Sequence, residues 1–455
     1  MADPRDELRE RAKDDGIEFF FAMFVDMHGK PCAKLIPAAA YDEVLMGGGA
    51  GFAGFAAGPM GQSPADPDMI AMPDPASYTP APWQPGLAVL QCDVWVDGEP
   101  WPYSPRVILK RQLEKLAARN LTLNVGFEAE YFLVQRRPGP DGGIALADPL
   151  DTAPVPCYDA KALSRMYEHL TTVSRYMNQL GWSNYANDHE DANGQFEQNF
   201  KYADALTSAD RLIFFRYMVH TLAHRAGMTA TFMPKPFANL TGNGLHIHSS
   251  LWDSVTGEEL FADPSDPRGL GLSKTAYAYI GGLLEHAPAT IAVTCPTVNS
   301  YKRMGVGAPK SGATWAPAYA TYGGNNRTQM LRVPDAGRVE NRGCDGSANP
   351  YLALTVLAAA GLDGIDRGLD PGEPNLDNLY TLAEGEVRAR GITAMPPTLL
   401  HAADNLVADP VVREALGKVP GGDYVDYYAG VKRQEFHDYH SVVSPWEVER
   451  YLTLF

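Results

Sequence analysis

Acids, histidines and arginines recur in this sequence at a spacing of two. In NVGFEAEYFLV, residues 124 to 134, one alanine separates Glu128 from Glu130. Side chains alternate faces along a strand, so both acids project from one surface while Val125, Phe127, Ala129, Tyr131 and Leu133 occupy the other. Two carboxylates held about 7 Å apart by a backbone repel each other. They are tolerated when water surrounds them or when a cation stands between them, and an amphipathic strand with a wet face accounts for this segment taken alone.

The same spacing returns elsewhere. In NDHEDANGQFEQNF, Glu190 precedes a turn at Gly194, after which Gln195, Glu197 and Asn199 share a strand face. In TGNGLHIHSSLW, His246, His248 and Ser250 fall on one face, and Leu245, Ile247 and Leu251 on the other. One histidine on such a face is commonly structural; two beside a glycine-rich approach make metal or phosphate contact an even alternative. In RVENRGCDG, Arg338, Glu340 and Arg342 share a face, which alone is an ordinary ion-paired strand. With Arg303, Arg327 and Arg332 the cations become five arginines within about forty residues, and arginine grips phosphate or carboxylate bidentately. Five acids and an imidazole suit Mg²⁺ or Mn²⁺ better than zinc. A glycosidase would use two carboxylates and has no need of the arginines; metal-assisted phosphoryl transfer uses both sets. There is no GxxxxGKS loop, so nucleotide binding must be of another design.

The elements that must position these residues belong to a long chain. At 455 residues it exceeds what one core usually serves, which predicts two domains. A net charge of −17 argues against nucleic-acid and anionic-membrane partners. Cys32, Cys92, Cys157, Cys295 and Cys344 are odd in number and form no CxxC, which suits a reducing cytoplasm. The charged start MADPRDELRERAKDD has no apolar stretch of a secretory signal, and no run is long enough to span a bilayer. A short helix over residues 3 to 15, ended by Gly16, leads into a hairpin of IEFFFAMFVD and PCAKLIP. GGGAGFAGFAAGPMG, 47 to 61, reads as a long flexible loop, and LAVLQCDVW resumes strand character. SPRVILKRQLEKLAARN reads as a helix capped by Ser104 with Pro105 in its first turn. The domain boundary is placed there, giving 1–104 and 105–455. Helices are expected at about 159 to 180 and 208 to 226, with NDHEDANGQFEQNF as a loop between them.

FEAE, NGQFE, FMPKPFANLTGNGLHIHSSL, NSYKR, NNRTQMLRVP and VENRGCDGSANPYLAL, in this order, resemble the glutamine synthetase family over about residues 17 to 380. The resemblance implies an α+β fold: a small N-terminal β-grasp domain and a large catalytic domain with a curved antiparallel sheet. It implies Glu130, Glu190 and Glu197 as ligands of a metal on the glutamate side, and Glu128, His246 and Glu340 as ligands of a metal that orients the γ-phosphate, with two or three Mg²⁺ or Mn²⁺ per site. His248, Ser250, Arg332 and Arg338 match ATP contacts. Gly242 and Arg303 match glutamate binding, Arg303 through the α-carboxylate, with Glu130 and His246 bordering the same substrate. Arg327 and Arg342 match groups that stabilise the transferring phosphoryl. Sites shared between subunits of a cytoplasmic dodecamer are implied, as is two-step chemistry through γ-glutamyl phosphate.

Two departures concern the amine. Members that use ammonia carry an Asp in an FDGSS-like segment and a Glu in a GYEAP-like segment; here the matching stretches give Ala53 in FAGFA and Trp315 in TWAP. Apolar walls welcome a methyl group and deprive ammonium of its counter-charges. The expected acceptor is therefore a small alkylamine, methylamine first, with ammonia the alternative and a non-catalytic metal- and nucleotide-binding regulator a third reading. An amine with a lysine-like pKa is only about 1 part in 10³ neutral at pH 7, so attack must absorb roughly 4 to 5 kcal/mol or find a base. Tyr380 in NLYTL matches a tyrosine that some bacterial members adenylylate, and a buried or interface tyrosine explains it equally. Cys344 is expected to be core filler.

Overall fold

The computed structural model describes residues 3–136, 143–304, 316–382 and 384–455. Its centre is the strand Leu121–Gln135. Val125, Phe127, Ala129, Tyr131 and Leu133 are all buried on one face, as the alternation predicts. Against them lies the helix Ala205–Arg225, whose Ala209, Leu212, Phe215, Met218 and Val219 are buried, with the Phe215 and Tyr131 rings in edge contact. Each large apolar side chain so buried contributes about 1.5–3 kcal/mol. The helix starts where the Asp204 side chain accepts the Thr207 N–H.

Among the described residues, nine strands form the central sheet. From one edge the order is Tyr322–Gly323, Leu331–Arg332, Val339–Asn341, Leu245–Asp253, Leu121–Gln135, Gln195–Phe200 and Asn184–His189, with Ala203–Asp204 and Met228–Thr231 also pairing the long strand. Pairing is antiparallel throughout except between the first two.

A second, seven-stranded sheet is built from residues 19 to 100. Phe19–Val25 pairs antiparallel with Pro31–Pro37 and parallel with Leu87–Val96, the expected β-grasp arrangement. Period two divides its side chains between two cores. Phe20, Ala22, Phe24, Leu90 and Cys92 pack with Leu8 and Ala12 of the helix Pro4–Asp14, while Met23, Val25, Leu87 and Val89 join the core beneath the central sheet.

Several local expectations need correction. Residues 47 to 61 are not a continuous loop: Ala50–Phe52 is a strand and Gly54–Ala57 a short helix. Pairing with Met69–Pro73 supplies the order that the glycine-rich composition hides. Gly49 is needed there, because its φ is +78° and a Cβ would lie 2.5 Å from Ile70 Cγ2. Ser104 stands at the N-cap, but its side chain makes no cap hydrogen bond. The tract at 159 to 180 is two helices, Ala160–Arg165 and Tyr167–Gln179, and the expected loop is a hairpin of Asn184–His189 and Gln195–Phe200. Among the described residues no helix is long and apolar enough to cross a membrane.

The two sheets are tied by one buried cation. Arg106, in the helix Pro105–Ala117, is 3 % exposed. It donates to Asp93 Oδ1 at 2.7 Å and Asp74 Oδ2 at 2.8 Å, both from the N-terminal sheet region, and to both oxygens of Asp210 at 3.0 Å. Burial opposes its charge, but these acids hold it well above the usual arginine range. Removing one partner of a buried ion pair strands the others. Arg106→Leu is therefore expected to destabilise the protein by about 3–5 kcal/mol, read as a fall in thermal midpoint or in denaturant midpoint, while Arg119→Leu, whose pair with Asp366 is exposed, should shift it by less than about 1 kcal/mol.

Candidate active site

Strand register assembles the site. Across the central sheet Glu130 stands opposite Glu197, Glu128 opposite His246, His248 opposite Glu340, and Glu340 opposite Arg332. Because side chains alternate, these pairs face the same side, opposite the packed helices. Glu190 joins them from the turn after Asn184–His189, where its N–H donates to the Gln195 carbonyl.

Carboxylate oxygens of Glu130, Glu190 and Glu197 lie within 4.8 Å of one another. Ligand atoms of Glu128, His248 and Glu340 do the same, as do those of Glu128, Glu197 and His246. His246 Nδ1 is 3.3 Å from Glu128 Oε2 and 3.6 Å from Glu340 Oε1, while His248 Nε2 is 3.0 Å from Glu128 Oε1. Both histidines thus reach the Glu128–Glu340 pair, where the sequence pointed to His246 alone. Oxygen-rich sets of this kind, with one imidazole each at most, suit hard divalent cations.

The two halves differ in electrostatic state. Burial and repulsion from Glu130 push the Glu190 carboxyl up to about 8, and burial with Glu190, Glu128 and Glu130 around it pushes Glu197 well above the carboxylate range. On the other half burial is overcome. His246, Arg342, His248 and Arg332 hold Glu340 at about 2, and the close imidazoles of His246 and His248 hold Glu128 well below the usual range. Arg342 Nη1 and Arg332 Nη1 donate to the two oxygens of Glu340 at 2.5 and 2.6 Å.

A cavity of about 570 Å³ is lined by Glu128, Glu130, Glu190, Glu197, His246, His248, Arg327, Arg332, Arg338 and Arg342, together with Cys157, Tyr158 and Asp188. Beside it lies one of about 410 Å³, walled by Asn124, Tyr185, Ser250 and Trp252 and sharing Glu128, His248 and Arg338. Arg338 is held at this junction by Asp335. Behind the larger cavity runs the glycine loop. A Cβ on Gly244 would meet Glu130 Oε1 at 2.9 Å and Arg303 Nη2 and His246 Nε2 at 3.0 Å, and one on Gly242 would meet the Pro234 carbonyl at 2.2 Å. Arg303 is buried, and its Nη1 has no hydrogen-bond partner among the described residues.

Some functional neighbours were not singled out in the sequence. Gln195 Nε2 donates to Glu130 Oε2, the Gly242 carbonyl and Asn243 Oδ1 at 2.9, 3.1 and 3.1 Å, so one amide links the acids to the glycine loop. Its place in NGQFE, facing the same side as Glu197, was the available signal. Cys157, Tyr158 and Asp188 carried none. Ala53 is exposed at the start of its short helix and does not line the acidic cavity; Trp315 lies outside the described residues. Tyr380 is 37 % exposed, and burial pushes its hydroxyl up to about 12 against the opposing fields of Arg342 and Arg303. Cys344 is wholly buried, as a core residue should be.

Comparison with known proteins places this geometry. Residues 102–451 match the glutamine synthetase catalytic domain. The chain belongs to the glutamine synthetase family. It is 46% identical over 450 residues to a glutamate–methylamine ligase of Methyloversatilis universalis, covering 99% of each chain. It is 42% identical to a glutamine synthetase of Rhizobium leguminosarum bv. phaseoli, covering 97% of this chain and 98% of that one. Among solved structures, a GmaS/ADP complex superposes with a TM-score of 0.91 at 47% identity, covering 99% of this chain and all of that one. Apo GmaS gives 0.88 at 46%, covering both chains fully.

The crowded acids of this family member make a pH prediction. An unfolded Glu190 titrates near 4.5 and the folded one near 8, so between these values the fold retains a proton that the unfolded chain has lost. Stability of chelator-treated protein should therefore fall as pH rises from about 5 to 8, and Glu190→Gln should flatten that slope. Adding Mn²⁺ should flatten it too and release protons on binding, seen as a buffer-dependent heat in calorimetry.

Proposed function

We propose that this protein joins the γ-carboxylate of L-glutamate to methylamine, forming γ-glutamylmethylamide with conversion of ATP to ADP and phosphate. The observation that carries the reading is the paired set of acids and histidines at the junction of two cavities, in a chain 46% identical end to end to a glutamate–methylamine ligase. ATP is placed in the smaller cavity, against His248, Ser250 and Arg338, with Arg332 at the phosphate end. Glutamate is placed in the larger one. The buried, unpartnered Nη1 of Arg303 suits its α-carboxylate, with Gly242 and Gln195 beside it.

The donor set fits two or three Mg²⁺ or Mn²⁺ ions: Glu130, Glu190 and Glu197 would hold one, and Glu128 and Glu340 another, with His246, whose Nδ1 is 3.3 and 3.6 Å from them, or with His248. Such ions supply neutralisation of the phosphate charge. Arg327 and Arg342 line the path of the transferring group and oppose the negative charge that spreads over its oxygens. A γ-carboxylate oxygen attacks the terminal phosphorus as ADP leaves. The amine nitrogen then attacks the acyl carbon, the C–O bond to phosphate breaks, and the nitrogen sheds a proton.

Each subunit is proposed to lend the loop bearing Ala53 to the next subunit's site, in a cytoplasmic dodecamer of two stacked hexameric rings divided at about residue 104 into its two domains. The exposure of Ala53 outside its own chain's acidic cavity supports that arrangement. Ala53 and Trp315 would give the amine pocket apolar walls.

The test is phosphate release at fixed ATP and glutamate with the amine varied. Methylamine should exceed ammonia in kcat/KM by at least about tenfold, and Ala53→Asp should narrow that ratio by restoring a counter-charge for ammonium. Ammonia equal to or better than methylamine would make the protein a glutamine synthetase instead, and no amine-dependent turnover would make it a binding protein.

A further inference from the structure

One group of charges, built around a buried lysine, lies outside the site and joins three distant parts of the chain. Lys432, in the helix Tyr424–His440, is 1 % exposed. Its Nζ donates to Glu435 Oε2 at 3.1 Å, lies 3.2 Å from His28 Nδ1 in the turn of the first hairpin, and stands 5.6 Å from the Tyr428 ring centre. Tyr428 is itself fixed by donating its hydroxyl to the Ala292 carbonyl. A buried ammonium is retained only when its charge is met, so Glu435 and the ring hold Lys432, and Lys432 in turn fixes one oxygen of Glu435.

The other oxygen of Glu435 has a different partner. Oε1 accepts the Val298 N–H at 3.1 Å, across 137 positions of sequence. Val298 leads into the four-residue helix Ser300–Arg303. The next residue, Asn299, accepts the Lys235 N–H at 2.7 Å and donates to the Lys235 carbonyl at 3.1 Å. The carbonyl of the adjacent Pro234 accepts the Asn243 N–H, between the two glycines that pack against the Arg303 side chain. Arg303 therefore issues from a short segment held on one side by the glycine loop and on the other by Glu435.

We propose that Glu435, held by Lys432, is a positioning residue for Arg303. By fixing the N–H of Val298 it sets where the short helix begins, and so where the guanidinium enters the glutamate site. The proposal rests on the reading of Arg303 as the group that binds the glutamate α-carboxylate. The C-terminal helix thereby acts on substrate affinity without touching substrate. Graded replacement separates the two contacts: in Glu435→Gln the single amide oxygen can still accept from Val298, with its NH2 then turned toward Lys432, so the hold weakens without being lost, whereas Glu435→Leu removes the acceptor and Lys432→Met frees the carboxylate to turn away.

The test uses the full-length enzyme and phosphate release with a saturating amine. Glu435→Leu and Lys432→Met should raise KM for glutamate about tenfold and change KM for ATP less than about twofold, while Glu435→Gln should stay within about threefold of wild type on both. Arg303→Lys is the reference and should raise the glutamate KM at least as far. If Arg303→Lys leaves that KM unchanged, the reading of Arg303 is wrong and the proposal falls with it. If Arg303→Lys raises it but Glu435→Leu does not, or if Glu435→Leu raises both KM values alike, positioning by Glu435 is overturned. Should Glu435→Leu not assemble, an unchanged glutamate KM in Lys432→Met overturns it equally.

Discussion

Carboxylates removed from water repel each other until positive charge is supplied, and this sheet meets that demand differently on its two sides. Glu340 has two arginines and two histidines around it, and Glu128 has both histidines. Among the described residues the hydrogen bonds to Glu130, Glu190 and Glu197 come from amides: Gln195 and the Gly244 N–H for Glu130, the Asp191 N–H for Glu190, and Asn199 for Glu197, with His246 Nε2 farther off at 3.8 Å from Glu130 Oε1. Amides orient a carboxylate but leave its charge in place. Hence burial raises Glu190 and Glu197 while it fails to raise Glu128 and Glu340. The deficit of positive charge is concentrated at one end of the site, beside Arg303 and the glycine loop.

That asymmetry depends on register. Shifting the Leu245–Asp253 strand by one residue would turn His246 and His248 into the apolar core and bring Leu245 and Ile247 to the acids. Two devices resist such a shift. Leu245, Ile247 and Leu251 are fully buried on the opposite face, and the isolated bridge between Gly244 and Asp345 fixes the strand's start. Glycine at 244 is required for the same reason, because Glu130, His246 and Arg303 converge on the space a Cβ would take. The helix Pro350–Arg367 extends the control to the other sheet: its cap Asn349 donates to the carbonyls of Asp26 and Met27 in the first hairpin turn.

What the sequence made legible follows from range. The face shared by Glu128 and Glu130, and that shared by His246 and His248, needs only period two within one strand, and both were readable from single segments. Pairing between segments was not. That Glu197 would stand opposite Glu130, or that His248 would reach Glu128 as closely as His246 does, depends on registers that no local pattern encodes, and there the family resemblance supplied the grouping. Arg106 and Glu435 were passed over, and Gln195 was placed on the face of Glu197 without its partners, because each acts through groups far away in sequence, up to 137 residues for Glu435. The stretch at 47 to 61 failed in the opposite way. Its glycines suggested freedom, but Gly49, Gly54, Gly58 and Gly61 sit where a side chain would collide with Ile70, Gln62, Asp26 and Tyr103. They mark close packing.

The relation between the two cavities bears on the order of events. Reacting atoms must approach to about 3–3.5 Å, so a phosphoryl group can pass from a nucleotide in one cavity to an acceptor in the other only where the cavities meet. The side chains common to both are Glu128, His248 and Arg338. Glu128 belongs to the long central strand, the element with the most extensive pairing and one fully packed face, and His248 to the strand beside it. Arg338 alone lies outside the strands, just before the three-residue strand Val339–Asn341, and is held by an exposed partner, Asp335. The meeting point thus combines two groups fixed by the packed sheet with one cation fixed by a carboxylate outside it, so that charge passing between the cavities meets an arginine at the crossing.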